Sequence, residues 1–166
     1  MTEQQSTRTL SELHHQRGVL EDGACLALGR LVMAFSRMDM ELGLALVWFN
    51  EGKDLENRTK RFEVSTFHAK LAELERRVLE QPIGDSRGRY DEWIVGAHAL
   101  RGIRNELMHG RWGLSPTTNT VVNVLGLPTS CGQSEVHYTL EQLSAFVTNI
   151  TALRDSLQAL LKEFPL

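Results

Sequence analysis

The sequence predicts an all-α protein, an up-and-down four-helix bundle with a short β-hairpin inserted before the last helix. Apolar residues recur at spacings of three and four along four separate stretches, which marks helices with one face turned to a core. Between the third and fourth stretches the texture changes. There, TVVNVL and EVHYTL are short and rich in β-branched residues, as strands are.

At 166 residues the chain suits one domain with a substantial core. Residues 1–20 are polar and are expected to be partly ordered. Residues 21–166 form the helical domain, with the β insertion at about 111–138. The content of 42% apolar and 23% charged residues is that of a soluble globular protein. A formal charge of −3 gives no global attraction for nucleic acid, so any polyanion site must rest on local clustering. The N-terminus has no apolar signal-peptide core, and the apolar run Leu42 to Phe49 is too short to span a bilayer. Cys25 and Cys131 form no CxxC pair and read as free thiols. A cytoplasmic protein with no membrane partner is expected.

The first helix is expected from Asp22 to Phe49. Leu28, Leu31, Phe35, Met38, Leu42, Ala45 and Phe49 lie along one face, and Met33, Met40, Leu44 and Val47 form a second row. A helix apolar on two sides is central in a bundle or buries one side against a partner. NEGKDLENRTK reads as a charged connector. The second helix runs from about Ser65 to Gln81, with Phe67, Leu71, Leu74 and Val78 inward. Its Glu73, Glu75, Arg76 and Arg77 read as a solvated face, and Pro82 and Gly84 end it. The third helix runs from near Tyr90 to His109, with Gly110 suited to the position just past its end. RWGL and TVVNVL make the hairpin, and EVHYTL adds a third short strand. Thr139 and Gln142 have capping-box spacing and open the last helix, whose apolar side includes Leu143, Phe146, Ile150, Leu153, Leu157 and Leu160.

Several common sites are missing. The chain has no HExxH, no GxxxxGK[ST], no GxGxxG after a strand and no GxSxG. The pair His14-His15 has no acidic or thiol partner at ligand spacing. No metal or cofactor is expected. Elimination leaves RGIRNELMHGRWG, residues 101–113. On a helical wheel Trp93, Gly96, Leu100, Ile103 and Leu107 make a core stripe, while His98, Arg101 and Asn105 lie opposite. Arg104 and His109 bracket that second arc, about 140° apart.

Two readings of this stretch stand. Cations in a last helical turn are stabilised by the helix dipole, so it is a decorated helix end. Alternatively it is a ribonuclease site. A histidine takes the proton of a ribose 2′-hydroxyl or protonates the departing 5′-oxygen, and an arginine grips the phosphate.

The run Arg104-Asn105-Glu106-Leu107-Met108-His109 resembles the R-x4-6-H motif of HEPN domains, with a polar residue after the arginine. The helical order of the chain resembles theirs from about Asp22 to Phe164. The resemblance implies a dimer in which two copies of the motif face each other. It also implies a metal-independent endoribonuclease of a toxin or antiviral defence system, acting on RNA and answering to an antitoxin or other regulatory protein. Arg104 and His109 would be catalytic and Asn105 supporting. Arg101 and Arg111 lie outside the motif and are expected only as RNA-backbone contacts. The β insertion departs from the minimal fold, and Arg111 stands where regulated toxins often carry a tyrosine. A non-catalytic HEPN-like binding, immunity or scaffold protein is the alternative, and a nucleotide-binding module the third.

Overall fold

The computed structural model describes residues 9–80, 86–129 and 131–165. Its elements are α1 (Leu10–Trp48), α2 (Leu55–Glu63), α3 (Phe67–Glu80), α4 (Ser86–His109), β1 (Arg111–Ser115), β2 (Thr120–Leu125), β3 (Ser134–Tyr138) and α5 (Leu140–Glu163). The fold is mostly helical, with one small antiparallel sheet just before the last helix. Among the described residues, those from 9–30 and 106–145 make one compact unit, and those from 31–105 and 146–165 make a second. No helix among the described residues is long and apolar enough to cross a membrane.

Three element boundaries differ from the sequence expectation, each for a local reason. Residues 10–20, expected to be partly ordered, are the opening turns of α1. A capping box starts them: the Thr9 amide donates to Glu12 Oε2 at 2.7 Å, and the Glu12 amide donates to Thr9 Oγ1 at 3.3 Å. The charged connector contains a fifth helix, α2. Its arginines find tertiary partners: Arg58 donates to the Phe49 carbonyl, and Arg61 reaches Glu73 at 3.1 Å. α4 begins at Ser86, four residues before Tyr90. Pro82 and Gly84, expected to end the preceding helix, lie outside the described residues.

The capping box at the last helix is reciprocal. The Thr139 amide donates to Gln142 Oε1 at 2.8 Å, and the Gln142 amide donates to Thr139 Oγ1 at 3.1 Å. α3 starts on Thr66, whose hydroxyl accepts from the Ala69 amide at 3.2 Å.

In the first unit the sheet order is β1-β2-β3, all antiparallel, with Gly113 opposite Val122 and Asn123 opposite Val136. Period-two alternation turns Val121 and Asn123 of β2 inward, both buried. Leu20, Ala24 and Ala27 of α1, Leu107 of α4 and Leu143 of α5 are buried in the same unit. The Trp112 indole donates to the Leu107 carbonyl at 3.1 Å.

Gly110 is a glycine for a different reason than expected. Its φ is not positive; only Gly52 and Gly126 among the described glycines have that geometry. Its amide still donates to Glu106, at 3.0 Å. A Cβ at Gly110 would instead collide with the side-chain amide of Asn123. The requirement is room.

In the second unit four helices touch in a closed cycle. Phe35 of α1 meets Phe67 of α3 edge-on, ring centroids 4.8 Å apart. Glu75 of α3 meets His98 of α4 at 2.9 Å. The Trp93 indole of α4 donates to the Leu153 carbonyl of α5 at 2.8 Å. Arg154 of α5 closes the ring on Glu41 of α1 at 3.7 Å. Met38, Leu42, Leu46, Leu71, Leu74, Val78, Ala97, Ile150 and Leu157 fill the interior. Tyr90 is fully buried and donates to the Phe164 carbonyl at 2.6 Å; burial pushes its phenol up to about 12.

The expected solvated face of α3 is half wrong. Glu73 and Arg77 side chains are each only 5% exposed and pair at 2.8 Å, and Arg77 lies 4.0 Å from the centroid of the Phe49 ring. Arg76 adds a second contact to Glu73 at 2.7 Å and Arg61 a third at 3.1 Å. Burial alone would raise the Glu73 carboxyl. The hydrogen bonds from Arg76 and Arg77, with the charges of Arg77 and Arg61, outweigh it and hold the group at about 2.

Because Glu73 sits below its ordinary 4.5, its stabilisation is present above that pH and is lost as pH falls toward 2. Glu73→Gln leaves Arg77 buried without its counter-charge and is expected to cost about 3–5 kcal/mol at pH 7. The difference from wild type should shrink as the pH is lowered toward 2, read by urea unfolding across that range. Gly110→Ala is expected to cost about 1–3 kcal/mol through overpacking. Adding Asn123→Gly should recover part of that loss in a double-mutant cycle.

Candidate functional site

Arg101, Arg104 and Asn105 leave α4 on one side because they are spaced by three and four residues. In the second unit that side forms a wall of a pocket of about 580 Å³. The N-terminal end of α3 supplies Thr66, Phe67 and His68, and α1 supplies Val32, Phe35, Ser36 and Asp39. Three of the five residues singled out from the sequence therefore share one cavity.

Neither arginine is neutralised. Among the described residues no carboxylate lies within ion-pair distance of Arg101 or Arg104. Arg104 donates to Asn105 Oδ1 at 3.1 Å and stands 5.4 Å from the centroid of Phe35. Arg101 has its Nε buried with no hydrogen-bond partner. A buried N–H without an acceptor is costly, so the site favours an incoming one.

The carboxylate that does line the pocket, Asp39, is engaged elsewhere. Lys70 of α3 holds its Oδ1 at 2.8 Å, with a side chain only 7% exposed. Gly43, one turn beyond Asp39 on α1, leaves the route open; a Cβ there would stand 3.4 Å from the Lys70 ammonium. The lysine and aspartate cancel, and two guanidinium charges remain. The chemistry of such a cavity suits an oxyanion, with Arg forks giving directional donors.

His109 and Arg111 belong to the first unit. His109 is the exposed last residue of α4. Arg111 is exposed on β1 and donates to Gln133 Oε1 at 2.6 Å and the Gly126 carbonyl at 3.4 Å, so its guanidinium already ties the sheet to the turn beyond β2. The exposed cysteines Cys25 and Cys131 are free thiols, and no set of three or more metal-ligating side chains converges among the described residues.

Sequence reasoning did not find His68. It is exposed at the pocket, and its ring lies 5.8 Å from that of His98 in an edge arrangement. His98 had been placed on the arc of Arg101 and Asn105, but its partner Glu75 had been assigned to solvent. Only the packing of α3 on α4 joins them.

No family model matches this chain, and neither a curated protein nor a solved structure does.

Lys70→Met would release Asp39 into the pocket as an uncompensated negative charge. Sulfate affinity, measured by calorimetry, should fall about three- to tenfold, with Lys60→Met, at an exposed lysine paired with Glu56 outside the pocket, as a control expected to change it little.

Proposed function

We propose that this protein is a HEPN-type, metal-independent endoribonuclease that works as a homodimer. The observation that carries the reading is the pair Arg101 and Arg104, unneutralised in one cavity and followed by Asn105 within the R-x4-H run. Two guanidiniums and an amide match the needs of a phosphodiester whose charge grows during cleavage. The closed cycle of four helices in the second unit is compatible with a HEPN bundle, while α2 and the three-stranded sheet are additions to it.

In this reading the RNA phosphate rests on Arg104 and Arg101, and Asn105 orients it. His109 moves the proton of the 2′-hydroxyl or of the leaving 5′-oxygen, contributed by a second copy of the chain. Dimerisation has a surface available. Met33, Met40 and Leu44 of α1 are 57%, 56% and 49% exposed, and the exposed Val32 beside them lines the pocket itself. Burying such a row is favourable at about 25 cal/mol per Å². The toxin or defence role, with its antitoxin or regulatory partner, follows from the same reading.

One observation favours a second reading. His109 is not among the residues lining the cavity of Arg104, as expected of a protein that binds RNA or another anion without cutting it.

The test is incubation of purified protein with structured and unstructured RNA in EDTA. Wild type should leave 2′,3′-cyclic phosphate and 5′-hydroxyl ends. Arg104→Ala should lower the rate about 10²–10³-fold and His109→Ala about 10²–10⁴-fold, with unchanged melting curves. A folded wild-type dimer that cuts no RNA, or variants as active as wild type, would overturn the assignment.

A further inference from the structure

We infer that His68 is a third donor to a phosphate group bound by Arg101 and Arg104, and that the His98–Glu75 pair positions it. The inference rests on the reading of this cavity as a phosphate site, but not on cleavage.

His68 lies two residues past the Thr66 cap, so the first turn of α3 delivers it to the pocket beside Phe67. Its ring makes no hydrogen bond with the described residues, and its ring contact is with His98. His98 is held in turn, with Nε2 2.9 Å from Glu75 Oε1. An exposed imidazole that lines the pocket, with its ring beside one that is itself held, is placed to meet a ligand.

The surrounding charges decide which ligand. Arg101, Arg104 and His98 come from α4, Asp39 from α1 and Glu75 from α3. Asp39 is taken by Lys70 and Glu75 by His98. With both carboxylates engaged, the groups left to contact a ligand are the two guanidiniums, the His68 ring, the Asn105 amide and the hydroxyls of Thr66 and Ser36. A tetrahedral oxyanion uses all of these as donors. A cation finds no unpaired carboxylate among the described residues that line the pocket.

Sulfate is a suitable probe because it is a dianion with the tetrahedral shape of phosphate. In histidine-resolved NMR, sulfate should move the His68 ring signals in wild type and should do so far less in Arg104→Ala. His68→Ala should lose about three- to tenfold in sulfate affinity, the size of one hydrogen bond. His98→Gln should shrink the sulfate-induced movement of the His68 signals and lower the affinity by no more than His68→Ala does, and adding it to His68→Ala should cost no further affinity.

A 2′-O-methyl RNA oligonucleotide, which cannot undergo attack by a 2′-hydroxyl, identifies the phosphate source. Displacement of sulfate from His68 assigns the site to phosphates of a nucleic-acid chain. Sulfate binding without displacement assigns it to a small phosphate compound and removes the ribonuclease reading while His68 keeps its role. If saturating sulfate leaves the His68 signals unmoved, or His68→Ala binds as wild type, the inference falls, whatever the RNA assay shows.

Discussion

The candidate site depends on where one lysine puts its charge. Lys70 is almost entirely buried, and a buried ammonium must find an anion or lose its proton. Asp39 meets that need at 2.8 Å. The pair ties α3 to α1 and also withdraws the carboxylate that lines the pocket. The guanidiniums of Arg101 and Arg104 therefore face the cavity with no counter-ion among the described residues. An arginine in a protein stays charged, and the pocket can lower its energy only by admitting an anion or water.

The same logic runs in the opposite direction at Glu73. There three arginines surround one buried carboxylate, and their charges are spent on holding α2, α3 and the end of α1 together. The second unit thus contains two cationic clusters of similar composition. One is closed by an acid of its own and serves stability. The other lacks one and is free to serve a ligand. Composition alone does not separate them, since both consist of arginines on amphipathic helices.

Much of the helical framework was legible from periodicity, and the physical reason is locality. The capping box at Thr139 and Gln142, the three short strands after Gly110 and the apolar face of α5 all arise from residues within a few positions of one another. Leu31, Phe35, Met38 and Leu42 on α1 followed from the same rule. Where locality failed, distant partners were the cause. α2 has little apolar periodicity to announce it, and its arginines are stabilised by Phe49 and Glu73. The glycine at 110 had a local explanation in its helix-ending position, yet the true constraint is Asn123, thirteen residues away on β2.

By itself the sequence determined the order of most elements and the arc of α4 that carries His98, Arg101 and Asn105, because helical spacing is set by the backbone. It also set Arg104 and His109 at the two ends of that arc. The tertiary structure alone decided that Glu73 and Arg77 are buried and that His68 shares a cavity with the arginines. It decided too that Asp39 is already neutralised there. Each of these depends on which charge lies opposite which across a helix packing. That choice is made by the fit of side chains over the whole core, and no single helix contains it.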